Sequence, residues 1–357
     1  MAHTEPMEGP AGAETGREIR AAITAAGGAI GFDEFVRLAL YGEHGFYTRS
    51  VAEQGGSAGR RGDFITSPEV GPLFGAVVAR YLDAEWERLG RPDPFTVVDA
   101  GAGPGTLARS VLAAAPACTT ALRYVAVEVS AAQRERHPDG VTSLPDLPNE
   151  PFDGVVFANE LLDNLPFRLA VYDGAWREAF VIARPDGTFA EVLSAPFDPL
   201  PEHLPRHAVH GSRAPIHTAA VAWFDRARSM VRSGSVVVAD YTAASTAVLA
   251  VRPFREWLRT YRGHERGDHP LRAPGTQDIT TEVALDQLPE PDAVRTQSQW
   301  LQRWGIDELV DEGKRHWAEH AARPDLAAIR MRSRISEAEA LLDPAGLGAF
   351  TLAEWHR

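Results

Sequence analysis

Four acidic side chains and three glycines mark where this chain could do chemistry. The glycines stand at every second position in Val97-Val98-Asp99-Ala100-Gly101-Ala102-Gly103-Pro104-Gly105-Thr106-Leu107. Asp99 precedes the first of them, and Glu128 closes a second apolar run, Tyr124-Val125-Ala126-Val127. Glu160 and Asp163 follow a third, Gly154-Val155-Val156-Phe157-Ala158, with Asn159 at the junction. Glycine lets a chain turn tightly and lets a ligand approach bare backbone. The G-x-G-x-G spacing is one residue shorter in its last turn than the G-x-G-x-x-G that faces a pyrophosphate. A carboxylate at 99 would repel a pyrophosphate, yet it can accept hydrogen bonds from an amino group. A carboxylate at 128 is placed for both hydroxyls of a ribose. Together they point to a nucleoside that carries an amino acid, S-adenosylmethionine, and so to methyl transfer. The bland alternative is a glycine-rich turn in some other α/β protein, and the placing of Glu128 weighs against it. The candidate cofactor set is Asp99, Gly101, Ala102, Gly103, Gly105, Glu128, Val129, Asp146 and Asn159, with Asp63 and Thr66 from an upstream segment.

The catalytic candidates are Asn159, Glu160 and Asp163. They follow a fully apolar strand, at the sheet edge where substrates meet doubly wound folds. Carboxylates here can orient a guanidinium, which stays protonated at neutral pH. A helix cap is the structural alternative, with Asn159 capping and Glu160 in the first turn. Upstream, Arg61-Gly62-Asp63-Phe64-Ile65-Thr66-Ser67-Pro68-Glu69 offers a capping arrangement at 66–69 and leaves Asp63 as part of an expected cofactor lid. His264 and His269 flank acidic residues in Tyr261–His269. A His/Asp/Glu cluster of this kind can hold a metal, but methyl transfer needs none and none is expected.

These residues need a scaffold, and the pattern supplies one. Strands are expected at 95–99, 124–128, 140–144, 154–158 and 235–239, the fourth being a continuous apolar run of the kind found in central parallel strands. Arg168–Tyr172, Trp176–Ala183 and Thr188–Leu193, separated by Asp173-Gly174 and Asp186-Gly187, read as an inserted antiparallel meander. Apolar residues at helical spacing predict a long helix over 72–89. Shorter helices are expected at 17–26, 32–41 and 217–231, two more within 298–341, and strands at 293–296 and 349–352. Residues 1–15 read as disordered, 42–61 as a mobile glycine-rich loop, and 252–285 as polar and loop-rich. The domain expectation is a helical region with a lid loop over 16–90 and a core over 91–357, with insertions at about 167–232 and 252–290.

Composition sets outer bounds. The 357 residues are 44% hydrophobic and 24% charged, ordinary for a globular protein. A single cysteine, Cys118, excludes an internal disulfide and suggests a reducing compartment. No apolar run approaches the roughly 20 residues that span a bilayer. The acidic first thirty residues argue against a signal or transit peptide. The chain is therefore expected in the cytoplasm, away from membranes. A net charge of −13 lowers the case for nucleic acid and suits a basic partner.

Five ordered motifs then carry a resemblance. They are Gly62-Asp63-Phe64-Ile65-Thr66-Ser67-Pro68-Glu69; Asn159-Glu160 with Asp163 and Leu165-Pro166; Asp240-Tyr241; Tyr261-Arg262-Gly263-His264; and Asp278-Ile279-Thr280. Together they resemble the MidA family of class I S-adenosylmethionine-dependent methyltransferases, from about residue 17 to the carboxyl end. Mitochondrial members of that family are similar to protein arginine methyltransferases that act on a complex I subunit during assembly. The resemblance implies an α/β fold: a Rossmann-like, seven-stranded, mostly parallel sheet with a helical N-terminal region and an antiparallel insertion. This chain departs from the family at Leu161-Leu162, where aromatic residues are usual, and at Ala76, Asn164 and Thr242. The leading expectation is N-methylation of arginine on a protein substrate, with S-adenosylhomocysteine as product. A methyltransferase for a small-molecule acceptor and a non-catalytic assembly factor on the same fold are the alternatives, and a homodimer is left open.

Overall fold

The computed structural model describes residues 10–48, 66–262 and 265–357. Asp63, His264 and most of the expected loop at 42–61 lie outside them. The described chain divides into two compact units. One comprises Ile65–Leu161, Asp225–Tyr241 and Pro291–Arg357, the other Met1–Phe64, Leu162–Phe224 and Thr242–Glu290.

The first unit is built on seven strands: β1 Phe95–Ala100, β2 Leu122–Val127, β3 Thr142–Leu144, β4 Phe152–Asn159, β5 Val231–Asp240, β6 Ala293–Thr296 and β7 Thr351–His356. Their order is β6-β7-β5-β4-β1-β2-β3. The five strands from β5 to β3 run parallel, while β7 is antiparallel to both of its neighbours. Strand order reverses between β1 and β4, so the carboxyl ends of these two strands open the crevice where such sheets bind ligands. The long helix is Pro72–Arg88. Its apolar stripe meets the sheet through Phe74, whose ring lies 6.4 Å from that of Phe157, and meets helix Gln297–Arg303 through Tyr81, 5.3 Å from Trp300.

Glycine closes this sheet at two neighbouring points, Gly234 on β5 against the Gly154 carbonyl and Gly154 on β4 against β1. Gly154 has φ +152°, and a Cβ there would fall 1.8 Å from the Thr96 carbonyl oxygen on β1. No side chain fits between these strands. Helices at Gln297–Arg303, Ile306–His320 and Leu326–Leu342 replace the two expected in 298–341. The extra break falls at Gly305, in the left-handed region at φ +85°, before a helix whose first turn holds Asp307 and Glu308.

The second unit contains the expected meander. Arg168–Tyr172, Trp176–Ala183 and Phe189–Pro196 pair antiparallel in succession. Arg213–Ile216 and Ile30–Gly31 extend the sheet. Residues 10–15, expected to be disordered, begin the helix Pro10–Ala25. Thr15, Ile19 and Ile23 fall four apart on one buried stripe, so burial organises a start whose composition suggested none. The expected loop region also holds strands, Leu258–Arg262 pairing with Asp278–Thr281. Polar residues hid them: Thr260, Asp278, Thr280 and Thr281 are all buried. The helices Pro10–Ala25 and Phe32–Tyr41 belong to this unit and Pro72–Arg88 to the first, so 16–90 is not one region.

Candidate active site

The loop after β1 is held by β2. The Gly101 and Ala102 amides both donate to the Val127 carbonyl at 3.0 Å. Gly101, Gly103 and Gly105 take φ +72°, +52° and +78°, which side-chain-bearing residues rarely adopt. A Cβ on Gly103 would meet nothing within 4 Å, so the bare backbone faces open space. Gly105 leads into helix Thr106–Ala113.

Glu128 stands just past the end of β2. Its Oε2 accepts from the Gly103 amide at 3.0 Å and its Oε1 from the Ser130 amide at 2.8 Å. Burial raises its pKa above the ordinary carboxylate value, and those two amides oppose the rise. Asp99 is buried and accepts the Tyr124 hydroxyl at 3.1 Å. Burial pushes its pKa up to about 7, the Tyr124 hydrogen bond opposes this, and the Glu128 charge adds to it. Among the described residues no cation pairs with Asp99. A cationic amino group and a ribose diol therefore fit the residues present: one would discharge a buried carboxyl, the other meet a carboxylate already aimed by two amides.

The remaining expected cofactor residues are more dispersed. Asp146, after β3, is exposed; its Oδ1 accepts from the Leu147 amide and its Oδ2 from Arg226 at 2.6 Å. Val129 is 52% exposed. Thr66 precedes the short helix Ser67–Val70 without a side-chain cap bond, so the capping account of 66–69 does not hold.

Asn159 ends β4, and no helix begins there for it to cap. Glu160 follows at φ +52°, an uncommon conformation for glutamate that concentrates at functional positions. Its amide donates to the Ala239 carbonyl of β5 at 2.8 Å. Its Oε1 accepts from Asn159 Nδ2 at 2.9 Å and from the Ser67 amide at 3.3 Å. Asn159 Oδ1 is buried with no hydrogen-bond partner among the described residues, an acceptor awaiting a donor.

Asp163 sits in the second unit, 4% exposed, and accepts the Thr280 hydroxyl at 2.6 Å. Asp278 lies in the same network and accepts from the Tyr47 hydroxyl at 3.0 Å and from Asn164 Nδ2 at 3.1 Å. Burial raises the pKa of both carboxyls, the Asp163 charge adds to the rise at Asp278, and the hydrogen bonds donated to each oppose it. Among the described residues no group of three or more His, Cys, Asp or Glu is placed to hold a metal ion, and no helix is long and apolar enough to cross a membrane.

A family model for S-adenosyl-L-methionine-dependent methyltransferases matches residues 77–302, from within the long helix through the glycine loop to helix Gln297–Arg303. The chain belongs to this methyltransferase family. It is similar to the mitochondrial protein arginine methyltransferase NDUFAF7 homolog of Drosophila melanogaster, at 29% identity over 327 residues, 78% of this chain and 71% of that protein. To the human NDUFAF7 it is 27% identical over 271 residues, and the match spans 59% of that protein's length. A Burkholderia thailandensis protein crystallised with S-adenosyl-homocysteine superposes with a TM-score of 0.79 at 25% identity, covering 99% of this chain and 95% of that one. The α/β fold, the cofactor and the enzyme class expected from the sequence are thereby supported. The cytoplasmic expectation is corrected: the curated relatives are designated mitochondrial. A lone buried cysteine does not separate one reducing compartment from another.

The glycine loop, Glu128, Asn159 and Glu160 of this methyltransferase all lie at the carboxyl ends of β1, β2 and β4. Asp240, buried at the end of β5, joins them; its Oδ1 accepts the Tyr241 amide. Sequence reasoning missed Ser67 as a partner of Glu160, because the contact uses a backbone amide and leaves no side-chain signature. It missed Arg226 for a different reason: Asp146 and Arg226 are 80 residues apart.

Proposed function

We propose that this methyltransferase N-methylates arginine on a protein substrate. The observation that carries the reading is Glu160, a carboxylate held in an unfavourable backbone conformation beside the glycine loop, with Oε1 oriented by Asn159 and Ser67. When bound, S-adenosylmethionine supplies an electrophilic methyl group. Asp99 accepts its amino group, Glu128 its ribose hydroxyls, and Gly101–Gly105 the intervening backbone approach. Val129 and Asp146 border the nucleoside, and Asp63 and Thr66 come from the segment preceding the long helix. Glu160 accepts N–H bonds from the acceptor guanidinium, and Asn159 Oδ1 takes a further one. The pair holds one nitrogen in line for displacement and stabilises positive charge until its proton leaves. The relatives' designation as protein arginine methyltransferases supports the choice of acceptor.

Glu160→Gln tests it. The expected result is S-adenosylhomocysteine affinity within about threefold of wild type, with turnover of an arginine-bearing peptide down by at least ~100-fold. Retained turnover would sink the assignment.

A further inference from the structure

Gly103 is gripped on both sides of its Cα, through the two peptides that flank it. Its amide donates to Glu128. Its carbonyl meets Nε2 of His137 at 2.9 Å, and Nδ1 of the same ring lies 2.9 Å from Ser143 Oγ on β3. A carbonyl can only accept, so Nε2 carries the hydrogen. In the neutral ring Nδ1 must then accept, and the Ser143 hydroxyl donates to it. The carbonyl thus selects the tautomer, and the serine hydroxyl, able to donate or accept, satisfies the other ring nitrogen and holds the ring in place. The segment is pressed close: a Cβ on Gly105 would lie 3.0 Å from Pro138 Cδ and 3.2 Å from His137 Cδ2.

We infer that His137, steadied by Ser143, is a positioning residue for cofactor binding, acting through Gly103 on Glu128. The inference rests on the reading of Gly101–Gly105 and Glu128 as the cofactor cradle. Gly103 carries no side chain to fix it, and its amide is one of the two groups that aim Glu128. Without the His137 hydrogen bond the Gly103–Pro104 peptide loses its fixed point, and the adjoining Ala102–Gly103 peptide keeps only the Gly105 amide on its carbonyl at 2.9 Å, so the Gly103 amide aims Glu128 less firmly before any ribose arrives. The cost falls on binding rather than on the chemical step, because His137 touches neither methyl group nor acceptor.

Calorimetric titration with S-adenosylhomocysteine, together with ¹⁵N imidazole shifts and melting temperature, tests it on the full chain. His137→Ala is expected to weaken binding roughly tenfold, the loss of one well-formed hydrogen bond in a preorganised site. His137→Gln, which keeps a donor for the Gly103 carbonyl, is expected to restore most of it. Ser143→Ala leaves both the ring and the carbonyl that requires Nε2–H, so the ¹⁵N shifts should keep the Nε2–H pattern while affinity falls by a smaller factor than in His137→Ala. Glu128→Gln is the control. If it loses binding and both His137 variants match wild type, or if His137→Ala weakens binding only in step with its melting temperature and His137→Gln does not rescue, the inference is overturned. If Glu128→Gln also binds as wild type, the cradle reading itself fails.

Discussion

In the role proposed for it, Glu160 trades stability for function. Its backbone lies at φ +52°, which costs a non-glycine residue about 1 kcal/mol or more. Glu160→Gly should therefore raise stability in urea by about 1 kcal/mol while abolishing turnover; a loss of stability would mean that its contacts to Asn159 and Ser67 outweigh the strain. Asp99 is the second residue whose environment sets its behaviour. Burial raises its folded pKa to about 7, above the ordinary 3.8. The folded protein thus keeps a proton that the unfolded chain has released, so this group's contribution favours folding at low pH and is lost as pH rises from about 4 to about 7. A cationic amino group prefers the ionised form. S-adenosylhomocysteine affinity should then rise between pH 6 and pH 7.5 in wild type, and Asp99→Asn should bind weakly with a flat profile. A flat profile in wild type would remove Asp99 from the site.

At the scale of elements, legibility followed the visibility of side chains. The parallel strands and the meander were readable because each is a buried apolar run or an alternation bounded by Asp-Gly. Trp176–Ala183 and Ala293–Thr296 have the expected bounds. The glycine loop and Glu128 were readable because the spacing itself encodes backbone exposure. The strands Leu258–Arg262 and Asp278–Thr281 were not, since their inward residues are polar and their burial comes from tertiary partners. The Gly103–His137–Ser143 relay was equally hidden, because half of it is a backbone carbonyl. The sheet's own weak point is Gly154, packed on the Thr96 carbonyl. Gly154→Ala must push β1 and β4 apart and should destabilise by about 3 kcal/mol or more, read as a lowered urea midpoint; near-wild-type stability would contradict the strand packing.

For the whole molecule, charge and buried acid give two handles. The net charge of −13 should attract an arginine-bearing peptide, so its KM should rise as salt increases through the range where the Debye length falls below about 10 Å. A salt-independent KM would favour a neutral small acceptor. Asp163 and Asp278 are both raised by burial, in the same sense as Asp99, so the melting temperature should be higher at pH 5.5 than at pH 8, and Asp278→Asn should flatten that slope. The most direct test of the account is a calorimetric titration of the full chain with S-adenosylhomocysteine, in wild type and Glu128→Gln. The account predicts micromolar binding at one site in wild type and at least a ~10-fold loss in the variant. Absence of binding to folded wild-type protein, or equal affinity in the two, would contradict it.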